Sequence, residues 1–597
     1  MGNPLLSDRN VDFLLNEVLD LPALLALPAF ADHSPETCAM YVQTARKVAR
    51  DVLWPAYRPM DAEAPRLVDG AVKVHPLMRD ILPRLVEIGT LTATRPPAVG
   101  GAQLPTSVAS LAHVYLMAAN LSAYCYVGLT SGAARLIESF GSDDLKARFM
   151  DRMYAGEWTG TMALTEPHAG SSLSDVATTA KAQGDHYLVK GSKIFISGGD
   201  HDIAGNIVHL TLARLDGAPP GIKGVSLLAI PKLRDEGGTL MPNDVSVAGM
   251  IHKIGWKGLP SLALNFGEQD DCHGWLVGEP HLGITYMFQL MNEARLMVGL
   301  NAVATAAVAY QEALEYARTR AQGRRVSSKS PAQPQVPIIE HADVRRMLLR
   351  QKAIVEGGLA LLLETARQQD LAEHGATEEE RKAAHLLLDL LTPIAKTFPA
   401  EKGFEANALA IQIHGGYGYT SEYMPEAWLR DQKLNTIHEG TSGIQSMDLL
   451  GRKVLAGGGA ALKVLFAAIT SSLARAKTAG VPAAWLAPLE TSLASVRDVT
   501  TELASLGADG NGEAMLRHSF DYLELFSTVA VGWQWVVQAA VAQEKLAAAH
   551  ASDRDFYEGK LAAAQYWLLT EVPRVEALAA LCRSNEDSYA RAEPAWF

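Results

Sequence analysis

One carboxylate, Glu439, stands at the head of a polar turn in Ile437-His-Glu-Gly-Thr-Ser-Gly-Ile-Gln445, which puts an acid beside a cluster of small polar groups. Gly440, Thr441 and Ser442 follow it as a nest of phosphate or sugar-alcohol size, and the next residues predict a helix whose N-terminus favours an anion. Leu164-Thr-Glu-Pro-His-Ala-Gly-Ser-Ser172 gathers hydroxyls, a proline turn and Gly170 into one loop that can offer N–H groups to a phosphate or the edge of a polar ring. Lys193-Ile-Phe-Ile-Ser-Gly-Gly199 predicts a strand ending in small residues, and in Ile411-Gln-Ile-His-Gly-Gly-Tyr-Gly-Tyr419 three glycines interrupt a helix and let backbone approach a ligand closely. Taken singly, each segment also suits an ordinary role: a polar turn, a strand and its turn, a helix terminator, a capping or surface acid.

The elements that must position these segments follow from periodicity. From about residue 34 to 155 apolar residues recur at helical spacing, as in Ile81, Leu82, Leu85, Ile88 and Leu91. From Trp158 the pattern changes to short β-branched or aromatic runs separated by Gly, Asp and Pro, including 207–212, 224–233 and 262–266, which predict a small antiparallel β-domain. Helical spacing returns after about residue 281 in runs over 284–320, 342–367, 378–391 and 394–413, enough for a bundle of roughly four helices. Gly457-Gly-Gly459 then breaks the chain before an Ala-rich helical stretch. The expected organisation is an α+β multidomain protein: an N-terminal α-domain at 1–157, a middle β-domain at 158–280, a helical bundle at 281–455 and an additional C-terminal helical domain at 460–597.

At 597 residues with 48% hydrophobic and 20% charged residues, the chain has material for several cores. Its net charge of -13 argues against bulk attraction to nucleic acid. Cys38, Cys125, Cys272 and Cys582 are scattered without C-x-x-C spacing, so no metal site or disulfide framework is expected and the thiols read as reduced and cytosolic. The opening residues lack the pattern of a secretory signal, and Val529 to Ala542 is short and carries Gln534 and Gln538. A cytoplasmic protein without an integral membrane segment is therefore expected.

In this order and at these separations, Thr-Glu-Pro-x-Ala-Gly-Ser, Gln-x-x-Gly-Gly-x-Gly and Glu-Gly-Thr-Ser-x-x-Gln resemble the acyl-CoA dehydrogenase family over most of residues 35–455. The extra C-terminal region and the opening Arg9-Asn-Val-Asp-Phe-Leu-Leu resemble its longer subgroup, which includes 3-methylmercaptopropionyl-CoA dehydrogenase. The resemblance implies the family's fold of α-domain, β-domain and four-helix bundle, FAD as cofactor, an acyl-CoA substrate and an electron-transfer flavoprotein as acceptor. It implies that Met162, Leu164, Thr165, Gly170 and Ser171 line the flavin or the acyl-CoA, and that Phe195, Ile196 and Ser197 lie against the isoalloxazine, Phe195 standing where many relatives have Trp. Asn292 and Arg295 would contact substrate, together with Ser171, Glu439 and Gly440. Arg320 and Gln322 resemble the family's Arg-x-Gln-Phe-Gly, whose Arg reaches a partner's FAD and so implies a homodimer. Gln412, Gly415 and Gly416, with Gly440, Thr441 and Ser442, complete the cofactor set. Two departures bear on the adenine side: the Phe of Arg-x-Gln-Phe-Gly is missing, and Ser171 is followed by Ser-Leu-Ser where the family has Asp.

By the same resemblance, Glu439 removes the α-proton of a thioester while the β-hydrogen leaves as hydride, and the expected substrates are medium- to long-chain acyl groups in fatty acid β-oxidation. Relatives that carry the base on another helix would place it at Ala294, which cannot act. Glu293, one residue earlier on that helix, is rotated by about 100°. An acyl-CoA oxidase, a short methylthio acyl substrate and a DNA-associated relative are the alternatives. The last would need a basic C-terminal region, yet residues 460–597 hold 11 Lys/Arg against 16 Asp/Glu.

Overall fold

Tertiary burial decides the elements where local preference is ambivalent. The computed structural model describes residues 3–327 and 330–597, with the side chains of 289–291 left aside. Its contacts divide the chain into one unit of Glu36–Pro105 and Ala112–Ala294 and another of Met1–Pro35, Thr106–Leu111 and Arg295–Phe597.

The first unit joins helices to the β-domain. In helix Met78–Glu87 the predicted stripe Ile81, Leu82 and Leu85 is buried. Within helix Thr106–Phe140, Asn120 leaves helical geometry and its side-chain oxygen accepts the Ala123 N–H at 3.1 Å, so the helix is restarted by its own cap. A hairpin in the expected helical region pairs β1 (Arg66–Val68) with β2 (Ala71–Lys73) across left-handed Asp69 and Gly70. The main sheet holds β3 (Trp158–Ala163), β4 (Thr179–Gln183), β5 (His186–Ser197), β6 (Asn206–Leu215), β7 (Val225–Pro231), β10 (Val245–Met250), β11 (Ser261–Phe266) and β12 (His273–Leu276), while β8 (Leu233–Glu236) and β9 (Thr239–Pro242) form a separate hairpin. Its order is β10-β11-β5-β12-β7-β6-β3, with β4 bonded to β5 and β6. Antiparallel pairing dominates as expected; β6 is the exception, running parallel to β3 and β4.

The second unit is helical, and its core lies between long neighbours: Ala342–His374, Glu378–His414 and, from the C-terminal region, Ser519–Leu546. Two helices were expected across 378–413, but Glu378–His414 is one helix that runs through Pro393 and Pro399. Proline in a helix interior costs about 3 kcal/mol. Here Leu390 to Ala400 are all buried, and that packing outweighs the loss. Gly457, Gly458 and Gly459 are all left-handed, which breaks the chain where the triple glycine predicted. Beyond them lie Ala483–Ala508, Ala551–Tyr566 and Val575–Ser584.

The opening helix Asp8–Phe13 docks on this C-terminal region: Arg9 bonds Asp553 at 3.0 Å and Tyr557 at 3.0 Å. Buried Lys560 donates to Glu356 at 2.7 Å, to Gln538 at 2.8 Å and to Asn10. Among the described residues three helices are long and apolar enough to cross a membrane by length and composition alone, longer than the stretch 529–542 weighed from sequence; over their apolar windows Thr106–Phe140 and Ser519–Leu546 are 94% buried and Ala456–Ala479 22%. All four cysteines are buried and none is in a disulfide.

Candidate active site

Glu439 sits in the left-handed region at φ 53°, and Gly440 follows at φ 88°. A non-glycine residue there costs roughly 1–2 kcal/mol, so the surroundings must hold it. Gln445 Nε2 donates to the Glu439 carbonyl at 3.0 Å and Lys396 Nζ to the Gly440 carbonyl at 2.8 Å. Thr441 accepts the Ile444 N–H and caps helix Ser442–Asp448, the helix expected after the turn, and the Ser442 hydroxyl donates to Glu401. Burial pushes the Glu439 carboxyl above the ordinary carboxylate range, and the Lys396 and Arg295 cations pull against that rise. Arg295 is itself buried and pairs with Asp448 at 2.6 Å, and its Nε has no partner among the described residues. Asn292 is half-buried on helix Gly283–Thr319. The rival acid Glu293 is bound to Arg135, which leaves Glu439 as the less committed carboxylate.

In the β-domain the Leu164–Ser172 loop is tied down by a pair that sequence reasoning passed over. Buried Glu166 accepts from the Ala177 N–H at 2.7 Å, the Thr178 N–H at 3.0 Å, the Thr178 hydroxyl and Lys193 Nζ at 2.7 Å. Lys193, on β5, also donates to the Leu164 carbonyl at 3.2 Å and the Leu212 carbonyl at 2.7 Å, while the Ile194 N–H donates to the Thr165 carbonyl at 2.9 Å. The first two motifs are therefore one bonded unit. Four donors hold the Glu166 carboxyl below the ordinary carboxylate range despite its burial.

Two residues beyond Lys193, Phe195 is left-handed at φ 61°, next to the register shift between Leu262 and Leu264 of β11. The residue is 60% exposed, an unusual state for an aromatic in a strand and one that suits stacking on a flat partner. Met162, Leu164, Thr165 and Ser197 are half-buried, and Gly170 and Ser171 are exposed. Ile196 is the exception in the expected set: alternation turns its side chain into the core.

In the helical unit a cleft of about 470 Å³ is lined by Arg320, Gln322, Gly415 and Gly416 together with Tyr316, His414 and Tyr417. The Arg320 guanidinium lies 5.4 Å from the Tyr417 ring centre, and a side chain added at either glycine would meet nothing within 4 Å. The buried His414 Nε2 has no partner among the described residues. A cation, open backbone and an unmatched polar atom fit the phosphate and adenine portion of a dinucleotide. Exposed Gln412 lies beside this cleft in sequence but is not part of its lining.

Comparison with known proteins identifies the family. The models "Acyl-CoA dehydrogenase, N-terminal domain", "Acyl-CoA dehydrogenase, middle domain" and "Acyl-CoA dehydrogenase, C-terminal domain" match residues 35–157, 161–268 and 281–455. The chain belongs to the acyl-CoA dehydrogenase family. A further model, "Acetyl-CoA dehydrogenase C-terminal like", matches residues 465–593 and marks the longer subgroup. The chain is 37% identical to 3-methylmercaptopropionyl-CoA dehydrogenase of Ruegeria pomeroyi over 93% of its own length and 94% of that protein's. It is 32% identical to the broad-specificity linear acyl-CoA dehydrogenase FadE5 of Mycobacterium tuberculosis over 95% of each chain. In fold it is similar to the acyl-CoA dehydrogenase from Bacillus anthracis solved with FAD, with a TM-score of 0.73, 21% identity and coverage of 99% of this chain and 93% of that one. It is thus an FAD-dependent acyl-CoA dehydrogenase.

Proposed function

We propose that the enzyme converts straight-chain acyl-CoA thioesters of medium to long chain length into trans-2-enoyl-CoA, with Glu439 as base, and passes the electrons to an electron-transfer flavoprotein in fatty acid β-oxidation. The observation that carries this reading is the Glu439 turn, where left-handed backbone presents a carboxylate whose proton affinity is raised by burial. In the reaction the α-proton goes to the Glu439 carboxylate, the β-hydrogen departs with its electron pair, and the Cα–Cβ double bond forms. Bound FAD supplies the hydride acceptor. Burial raises the Glu439 carboxyl toward the affinity a base needs at neutral pH, and the backbone N–H of Glu439 is the donor proposed for the thioester oxygen. Exposed Arg320, on the cleft that suits pyrophosphate, supports a homodimer in which it serves the partner's cofactor. The buried, disulfide-free cysteines are compatible with the cytoplasm.

A second reading, a short 3-methylmercaptopropionyl substrate, is favoured by the 37% identity to the Ruegeria pomeroyi enzyme. An anaerobic flavin-bleaching screen of acyl-CoAs from short to long chain, with 3-methylmercaptopropionyl-CoA included, separates the two. Bleaching by medium- or long-chain thioesters, lost in Glu439→Gln, is the expected result. Equal bleaching by Glu439→Gln would refute the base assignment, and bleaching by short chains alone would refute the chain-length reading.

A further inference from the structure

The base turn contains a cation that the proposed chemistry does not yet use. Lys396 projects from helix Glu378–His414, is fully buried, and gives its ammonium to the Gly440 carbonyl at 2.8 Å. Among the described residues no carboxylate touches this ammonium; burying it so is costly, and a hydrophobic side chain of similar length would fill the same space at less expense. Its position is informative as well: the carbonyl it holds belongs to the residue after Glu439, and Gln445 holds the carbonyl of Glu439 itself. The peptide groups on both sides of Gly440 are thus fixed by side-chain donors, at the one place in this segment where two consecutive residues are left-handed.

We propose that Lys396 is a positioning residue for the reaction: by pinning the Gly440 carbonyl it sets the direction of the Glu439 carboxyl and of the Glu439 backbone N–H. The proposal rests on the reading of Glu439 as the base. The charges that bear on that carboxyl are few. Lys396 comes from helix Glu378–His414 and Arg295 from helix Gly283–Thr319, and both lower its proton affinity. Arg295 is shared with Asp448 of helix Ser442–Asp448, which also binds Arg452. Glu401, also on helix Glu378–His414, acts on Lys396 in the opposite sense to Arg295, and adjacent His438 is held neutral by burial and by Lys396. Removing the Lys396 charge therefore raises the pH at which Glu439 becomes able to accept a proton.

The test uses FAD-loaded Lys396→Met, which removes donor and charge, and Lys396→Gln, which removes the charge and keeps a donor. Three quantities are read: the rate of anaerobic flavin reduction by a saturating acyl-CoA against pH, KM, and amide hydrogen exchange over residues 438–446 without substrate. For Lys396→Met the expected result is a more than tenfold fall in kcat with KM changed less than threefold, a midpoint displaced to higher pH, and faster exchange at residues 439–441. For Lys396→Gln the midpoint moves in the same direction while exchange stays closer to wild type. Wild-type pH profile and exchange in Lys396→Met would overturn the proposal. Should that variant not fold, an unchanged midpoint in Lys396→Gln would overturn it equally. Glu439→Gln serves as the separate control: if it reduces flavin normally the base reading fails, whereas an inert Glu439→Gln beside an unaltered Lys396 variant leaves the base in place and removes only the positioning role.

Discussion

Lys193→Met tests whether the buried Glu166–Lys193 pair holds the flavin-side loop in place. Both side chains are essentially inaccessible, at 0% and 2% exposure, so the substitution leaves a buried carboxylate without its lysine, with the His168 ring 3.6 Å away as a cation only when protonated. Losing one partner of a buried pair costs about 3–5 kcal/mol. Glu166 keeps the Ala177 N–H and the Thr178 N–H and hydroxyl, which places the carboxylate's share near the lower end, about 3 kcal/mol. The Leu164 and Leu212 carbonyls also lose their donor, adding roughly 1 kcal/mol each where water cannot replace it. A total of about 4–5 kcal/mol is the expectation. Because a chain with several domains need not unfold in one step, the assay is amide exchange over residues 159–200 in the urea range below global unfolding, with retained flavin measured on the same samples. Glu166→Gln combined with Lys193→Met removes both charges, and its cost should fall short of the sum of the singles by about 2 kcal/mol or more. A single-variant cost below about 1 kcal/mol, or additive costs, would refute the reasoning. The pH dependence has a definite sign. The folded carboxyl of Glu166 is depressed, so its contribution is complete above the ordinary carboxylate range and is lost as pH falls through the lowered value.

Gly440→Ala places a methyl 2.7 Å from Gln445 Nε2 at φ +88°. The expected outcome is loss of flavin reduction, with a local cost of about 1–2 kcal/mol read by exchange in helix Ser442–Asp448. Thr441→Ala removes the cap of that helix and should cost about 1 kcal/mol in the same exchange measurement, without Gly440→Ala's strain. Arg320→Ala should release FAD on dilution while leaving the thermal transition of the flavin-free protein within about 2 °C of wild type, as for an exposed side chain. Lys560→Met should open the opening helix Asp8–Phe13 to limited proteolysis, with flavin reduction little altered.

The succession of helical and strand regions is legible because apolar spacing over ten or more residues is a strong signal, as in Met78–Glu87. The Glu439 turn is legible because a capping hydroxyl and glycines leave a local signature in the chain. The Asp69-Gly70 pair carried a hairpin signal inside a region read as helical, and the weight of surrounding periodicity hid it. Lys193, Lys396 and Lys560 were not legible. A lysine in a strand or on a helix reads as a solvated face, and only the folded chain reveals that each is fully enclosed and bonded. The uninterrupted helix through Pro393 and Pro399 escaped for the converse reason: local rules predict a break, and only the packing around it cancels the penalty.

The docking of Asn10 against Lys560 has a consequence for the time course of synthesis. The two residues lie 550 positions apart, so at about 5–20 residues per second the opening helix waits roughly 30–110 s on the ribosome for its partner. Residues 36–105 and 112–294 form their own compact unit and can mature during that interval. The apolar face of the opening helix, with Val11 and Phe13, therefore remains uncovered until late in translation.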